Sequence, residues 1–300
     1  MIVETTALSH MFAGREVVRD VGLQVPMGAA MVLLGANGAG KTSLLRLLLN
    51  ILRPSKGGAR LFGRDSRCLG PEDFQRIGYA AESQILPGRL SVSAYFDYLR
   101  PLYERWDGAL EQHLRRHFGL PGGQRIDLLS HGASMTLRLA TALAFRPTLL
   151  ILDEPLGGLD QDVREQVLDI LIDRAGDTTI LMATQEITDI DRFATHVAFM
   201  ADGRLLFQEE TGTLAARMRD VRVQVGEMWD LPATLPESWL TATRTGRTLG
   251  FIDSGFVSEA VLRQQLADCG IEIGGLDIRP LALRDIAVPL IRAQRGETGQ

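Results

Sequence analysis

Short, wholly apolar runs alternate along the first two thirds of the chain with stretches whose apolar residues fall at helical spacing. That is the pattern of parallel strands buried on both faces. Ala30 to Leu34, Leu149 to Leu152, Thr179 to Ala183 and Val197 to Met200 are the strand runs, and Lys41 to Leu52 and Gln161 to Arg174 read as helices between them. From Ser91 to Arg146 the spacing is helical with no strand, broken at Pro101, at Pro121-Gly122-Gly123 and beside Pro147. A helical insertion is therefore expected at about 91–146. After about residue 215 the pattern changes. Val221 to Val225 alternates like a half-exposed strand, and Thr241 to Ile252 reads as a hairpin around Thr245-Gly246-Arg247. Ser258 to Asp268 reads as a helix capped by Ser258 and stopped by Gly270, and Leu281 to Arg292 as another that Pro289 ends or kinks. The expected organisation is an α/β domain over 1–215 and a small accessory α+β domain over 216–300.

Composition narrows the possible roles. With 300 residues, 45% of them apolar, the chain can bury a sizeable core. Its richest apolar stretch, Ser43 to Leu52, is broken by Arg46 and Asn50 and falls short of the ~18 apolar residues a membrane span takes. Any membrane role is expected to be peripheral. The first residues lack a basic start followed by an apolar block, so a cytoplasmic location is expected. Cys68 and Cys269 have no CxxC neighbours, which argues against a disulfide or zinc framework, and Trp229 and Trp239 read as packing residues. A net charge of −5 argues against broad attraction to nucleic acid, and Arg115 and Arg116 read as a solvated helix face.

Against that background one motif carries chemistry. Gly35-Ala36-Asn37-Gly38-Ala39-Gly40-Lys41-Thr42 fits GxxxxGK[ST], and it lies between an apolar strand and a helix, where a phosphate-binding loop has to lie. Glycines let successive N–H groups turn inward towards phosphate oxygens, and the helix N-terminus adds its positive dipole end. Lys41 adds a point charge, and Thr42 offers a hydroxyl to Mg²⁺. Downstream, the run Leu149 to Leu152 ends in Asp153-Glu154, two acids at a place where a carboxylate is costly unless a metal–nucleotide site uses it. Asp153 suits Mg²⁺, and Glu154 suits orienting or deprotonating the attacking water.

These motifs would serve many P-loop ATPases; what lies between and after them resembles the ABC ATPases. Leu129-Ser130-His131-Gly132-Ala133 resembles the signature LSGGQ, keeping the Leu, the Ser and the second Gly. Arg146 to Asp160 is similar almost throughout to the family's RPxLLILDEPxxGLD stretch. The resemblance spans about residues 1–215. It implies a P-loop ABC-type nucleotide-binding domain with ATP and Mg²⁺ as ligands. Phe12 would stack on adenine; Gly35, Asn37, Gly38, Ala39, Gly40, Lys41, Thr42 and Ser43 would surround the phosphates; Thr42 and Asp153 would hold the metal. Glu154 would act on water, Glu82 would stand at the Q-loop and Asp160 on the D-loop. Ser130 and Gly132 would act in trans, across a head-to-tail dimer with a second ABC ATPase subunit, identical or different. The other implied partner is a membrane-spanning subunit, with the chain peripheral on the membrane's cytoplasmic face and no nucleic acid expected.

Three positions depart from the family pattern: Gln185 where histidine is usual, Glu82 where glutamine is usual, and His131 for a signature glycine. Gln185 can orient water or γ-phosphate but cannot become a cation, so reduced turnover is expected. Ser91 to Trp106 and Leu281 to Ile291 resemble bacterial export and antibiotic-resistance systems, which makes an exporter ATPase the favoured expectation. The alternative is a slow or inactive nucleotide-dependent switch. A nucleic-acid-associated ABC protein is disfavoured, since no long coiled-coil insertion or second cassette is present.

Overall fold

The computed structural model describes residues 1–186, 190–226, 235, 236, 238–281 and 285. The helix expected over Leu281 to Arg292 lies almost wholly outside them, as does Trp229. The chain divides into two compact units, one formed by Met1–Glu186 with Arg192–Gln208, the other holding Glu209 onward.

At the centre of the first unit is a six-stranded sheet in the order β11-β10-β4-β9-β8-β7. Its strands are β4 (Ala30–Leu34), β7 (Ile77–Ala81), β8 (Leu149–Asp153), β9 (Thr179–Thr184), β10 (His196–Ala201) and β11 (Arg204–Glu210). From β10 to β7 every pairing is parallel. All residues of β4, β8 and β9 are buried, which is why they read as unbroken apolar runs. Register matters more than order here. Leu34 pairs with Thr184, and Asp153 with Ala183, so three strands finish at one level and the residues that follow them share a rim.

A second, antiparallel sheet was not foreseen. It is built from β1 (Val3–Phe12), β2 (Arg15–Val21), β3 (Gln24–Val25), β5 (Lys56–Leu61) and β6 (Arg64–Asp65) in the order β2-β1-β5-β6, with β3 also on β1. Between the sheets lies α1 (Lys41–Leu48), whose Leu44, Leu45, Leu47 and Leu48 belong to a core shared with both. This helix is shorter than expected. Leu49 closes it by donating its N–H to Leu45 O, and Asn50 takes φ 56°, the left-handed conformation that asparagine adopts more readily than most residues.

The insertion is helical, as its spacing requires. A single turn, α2 (Pro71–Phe74), precedes β7; α3 (Val92–Leu99), α4 (Gly108–His117) and α5 (His131–Leu143) follow it, with Pro101 in a 3-10 turn over Arg100–Leu102. Glu111, 3% exposed, ties these helices together. It accepts hydrogen bonds from Arg100 (2.9 and 3.2 Å), Arg115 (3.2 Å) and the Trp106 indole (2.9 Å), so its buried charge is satisfied on every side. Arg115 is thereby corrected from a solvated residue to a structural one. α6 (Gln161–Arg174) leads from β8 to β9.

In the second unit α7 (Thr211–Arg217) precedes a four-stranded antiparallel sheet, β13-β14-β12-β15, made of β12 (Arg219–Gln224), β13 (Trp239–Thr245), β14 (Thr248–Asp253) and β15 (Gly275–Pro280). Val221, Val223, Leu249 and Phe251 pack with Leu262 and Leu266 of α8 (Glu259–Asp268), and Trp239 stacks on Phe251 with ring centroids 4.1 Å apart. β15 went unrecognised because Gly275, Asp277, Arg279 and Pro280 disguise an edge strand. Its charges are matched across the ladder, Asp220 facing Arg279 and Arg222 facing Asp277.

Candidate functional site

The shared rim assembles the chemistry. Gly35, immediately after β4, donates its N–H to Thr184 O at 3.3 Å, and the loop then turns through Gly38 (φ 80°) and Gly40 (φ 102°) into α1. No side chain caps α1, so its leading N–H groups, which have no intrahelical acceptors, are left for an anion. Asn37 and Gly38 are exposed on the loop, Ala39 is buried with its N–H on Ala36 O (3.1 Å), and Ser43 is half-buried in the first turn of α1. Lys41 is 5% exposed. Its Nζ donates to Gly35 O (2.6 Å) and Ala36 O (3.2 Å) and pairs with Glu154 Oε1 at 3.1 Å.

Across from the loop, Thr42 donates its hydroxyl to Asp153 Oδ1 at 3.0 Å. Burial pushes the Asp153 carboxyl above the usual aspartate range, opposed by the Thr42 hydrogen bond. Two hard oxygen donors so placed, one a carboxylate costly to ionise alone, are a donor set that fits Mg²⁺. Glu154 leaves the sheet at φ 51°, donating its N–H to Ala183 O (2.8 Å), and its Oε2 accepts the backbone N–H of Gln185 at 3.2 Å. Glu82 enters through its backbone, its N–H on Asp153 O at 3.1 Å, while its side chain is half exposed. Thr184, which the expected strand Thr179 to Ala183 stopped short of, accepts from Gly35 through its carbonyl and from Glu186 N through its hydroxyl (3.0 Å). Its position between an apolar run and Gln185 was the available signal.

Phe12 is 66% exposed at the end of β1 and pairs with Arg15, two residues before the Val17 carbonyl that borders Gly40.

The signature residues stand apart from Lys41. Ser130 is the N-cap of α5, its Oγ accepting from Ala133 N at 3.2 Å, and Gly132 lies against Val163 of α6. Asp160 caps α6 by accepting from Val163 N at 2.9 Å. His131 joins these parts: its Nε2 is 3.0 Å from Gly157 O and 3.9 Å from Glu82 Oε1. Gly35 to Thr42, Asp153, Glu154 and Gln185 thus form one constellation within the chain, while Ser130, Gly132 and Asp160 form a second surface beside it.

An amide-lined loop opening a helix, a lysine, a threonine–aspartate oxygen pair and a glutamate on one rim define the class of P-loop nucleotide-hydrolysing proteins. Within that class, the ABC transporter family matches residues 18–157. The chain is 31% identical over 206 residues to the ABC transporter ATP-binding protein YtrB of Bacillus subtilis, covering 68% of this chain and 70% of that one. It is 29% identical over 293 residues to the daunorubicin resistance ATP-binding protein DrrA3 of Streptomyces coeruleorubidus, covering 93% and 92%. A solved structure of an ATP-binding subunit of an ABC transporter aligns with a TM-score of 0.65 at 22% identity, covering 72% of this chain and 92% of that chain, a likeness of fold. The chain belongs to the ABC transporter family, as one of its ATP-binding subunits and an ATPase.

Proposed function

We propose that this chain drives export through a separate membrane subunit by cycles of ATP-dependent head-to-tail dimerisation and hydrolysis. The observation that carries the reading is the rim itself: Thr42 on Asp153, and Glu154 held between Lys41 and the Gln185 amide. When ATP binds, loop amides and Lys41 take its β and γ phosphates, Lys41 exchanging the Gly35 and Ala36 carbonyls for phosphate oxygens. Thr42 and Asp153 would hold Mg²⁺, which supplies charge neutralisation at the phosphates. Glu154 receives the proton of the attacking water, and Gln185 holds water or γ-phosphate by hydrogen bonds alone. Ser130 and Gly132 of a second subunit close over the γ-phosphate, so the interface persists only while that group is present.

The export direction is supported by a fluoroquinolones export ATP-binding protein of Mycobacterium tuberculosis, 32% identical over 219 residues and covering 71% of this chain and 72% of that one, and by the DrrA3 alignment, to a resistance protein, which continues through the second unit. A membrane partner is supported by the family, whose ATP-binding subunits work with membrane transporter subunits. An apolar groove of about 290 Å³, lined by Tyr79, Tyr95, Leu99, Tyr103 and Gln84, suits a helical segment of that partner, and exposed Ile51 and Phe74 widen the apolar patch. The accessory domain expected over 216–300 is read as serving dimer contact or regulation.

The test uses purified protein and its E154Q variant. Wild type is expected to hydrolyse ATP, E154Q to lose roughly 10²–10⁴-fold in turnover yet bind ATP and elute as an ATP-dependent dimer. Wild-type turnover no higher than that of E154Q, with and without the membrane subunit, overturns the transport-ATPase reading in favour of the switch, which Gln185 and the altered signature with His131 favour. A dimer of E154Q on its own shows that an identical subunit suffices.

A further inference from the structure

We propose that a cavity at the end of the central sheet away from the nucleotide rim is a second anion site, suited to the phosphate group of a small organic phosphate monoester such as a sugar phosphate.

The cavity holds about 300 Å³ and is bounded by three arginines, Arg105, Arg146 and Arg174. They come from separate segments: Arg105 precedes α4, Arg146 follows α5 and Arg174 ends α6. The floor is the entry to β8 and β9, and it is fixed by main chain and side chain together. Thr179 donates its N–H to Thr148 O at 3.0 Å, and buried Thr178 donates its hydroxyl to Pro147 O at 3.1 Å. The run from Thr148 to Asp153 spans about 17 Å of strand. No phosphate of a nucleotide seated on the loop therefore reaches this cavity.

In a chain of net charge −5, the lining sets three guanidinium groups against one carboxylate, Asp177. The three differ in what already satisfies them. Arg146 is paired through Nε with Asp107 at 2.6 Å. Arg174 is 19% exposed, and Asp173 stands 3.9 Å from its Nη2; its Nε is closed off from solvent with no hydrogen-bond partner among the described residues. Arg105 is exposed and makes no ion pair or hydrogen bond among the described residues. An enclosed, charged N–H without an acceptor is costly, and an anion that supplies one relieves the cost. Guanidinium groups meet phosphate through paired N–H donors, and the three terminal oxygens of a monoester can serve more than one of them.

The space exceeds what a phosphate group needs, and Leu110, Leu143 and Pro147 give it an apolar wall, so the ligand has an organic part. Asp177 would repel a bare anion but can accept from a hydroxyl on that part. A sugar phosphate carries both features. The same monoester is also the headgroup of phosphatidic acid.

Isothermal titration calorimetry on the full chain, with Mg²⁺ and a saturating non-hydrolysable ATP analogue filling the loop, reads the second site alone. Glucose 6-phosphate is the probe, and inorganic phosphate and glucose are the controls. Glucose 6-phosphate is expected to bind, inorganic phosphate to bind more weakly and glucose to give no heat. R105Q has no partner to lose, so it should melt with wild type yet lose about tenfold in affinity for glucose 6-phosphate, with R174Q losing at least as much. D177N should bind inorganic phosphate more tightly than wild type. Flotation with phosphatidylcholine vesicles, with and without phosphatidic acid, separates the sources: Arg105-dependent flotation on phosphatidic acid without a glucose 6-phosphate signal gives the site to a lipid headgroup. Absence of both signals overturns the site. Binding of glucose 6-phosphate that R105Q and R174Q leave unchanged does so too, as does binding abolished by the ATP analogue, which the loop would then explain. Glucose bound as tightly as its phosphate overturns the anion assignment. None of these readouts involves hydrolysis, so the site and the export reading stand or fall separately.

Discussion

Replacing Gly40 by alanine adds one methyl group at the turn from loop to helix, and the structure sets its cost in two parts. The first is conformational: φ is 102°, and an L-residue there carries a penalty of about 1–2 kcal/mol. The second is steric. The new Cβ would stand 2.4 Å from Val17 O and 2.9 Å from Met200 Cε. The methionine end can swing aside, but Val17 lies in β2, which is laddered to β1, so either the strand or the loop must move. Overpacking of that kind costs about 1–3 kcal/mol, for a total of about 2–5 kcal/mol. Gly38→Ala is the internal control. Its φ is 80°, yet nothing stands within 4 Å of its Cβ, so the conformational part alone remains, about 1–2 kcal/mol. At roughly 2–4 °C per kcal/mol for a unit of this size, G40A should melt about 10 °C below wild type and G38A about 4 °C below. Thermal unfolding followed by circular dichroism without nucleotide reads both, and repeating it with Mg²⁺ and ATP should show G40A losing most of the ligand-induced rise. Equal losses for the two variants would refute the claim that the β2 backbone is a fixed wall under the loop. A G40A protein as stable as wild type would refute both parts.

Two further substitutions probe buried carboxylates. Asp153→Asn keeps an acceptor for Thr42 and removes a charge that burial disfavours, so stability without ligand should hold or rise. The added stabilisation by ATP, about 2.7 kcal/mol at a hundredfold excess over Kd, should then become the same with Mg²⁺ as with EDTA; a persisting difference would remove Asp153 from the metal site. Asp253, 2% exposed in the second unit, has its carboxyl raised by burial, partly offset by hydrogen bonds from Gly255 N–H and Ser238. A raised value means the fold favours the protonated form: that contribution is complete below the unfolded value near ~3.9 and is lost as pH rises through the folded one. Asp253→Asn should therefore be at least as stable as wild type at pH 7.5 and lose that relative advantage towards pH 4. Urea unfolding at both pH values tests the sign, and a D253N deficit largest at pH 7.5 would reverse it.

How much could be read in advance depended on whether a residue's role was written locally. The strand runs Leu149 to Leu152 and Thr179 to Ala183 were legible because both faces are buried and every position is apolar or small. The loop was legible because its glycines, lysine and threonine act within eight consecutive residues. β1 was not, because a strand carrying Thr5, Thr6, Ser9 and His10, with register shifts around His10, lacks both the apolar run and clean alternation. Helix α1 overran its true end because Leu49, Ile51 and Leu52 continue the apolar spacing, and only the φ of Asn50 reveals the stop. The division of the site into two surfaces was legible only through the family resemblance.

Because β4, β8 and β9 end within one residue of each other, Gly35, Glu154 and Gln185 each fall one step beyond the last buried position of a strand. At Glu154 and Gln185 a side chain can be exchanged while the strand behind it keeps its apolar interior, whereas Gly35 cannot take one, since a Cβ there would stand 2.3 Å from Met200 O. Gln185 is such a position: an exposed side chain one step beyond a wholly buried strand. The rim can thus be altered at Glu154 or Gln185 without repacking the sheet.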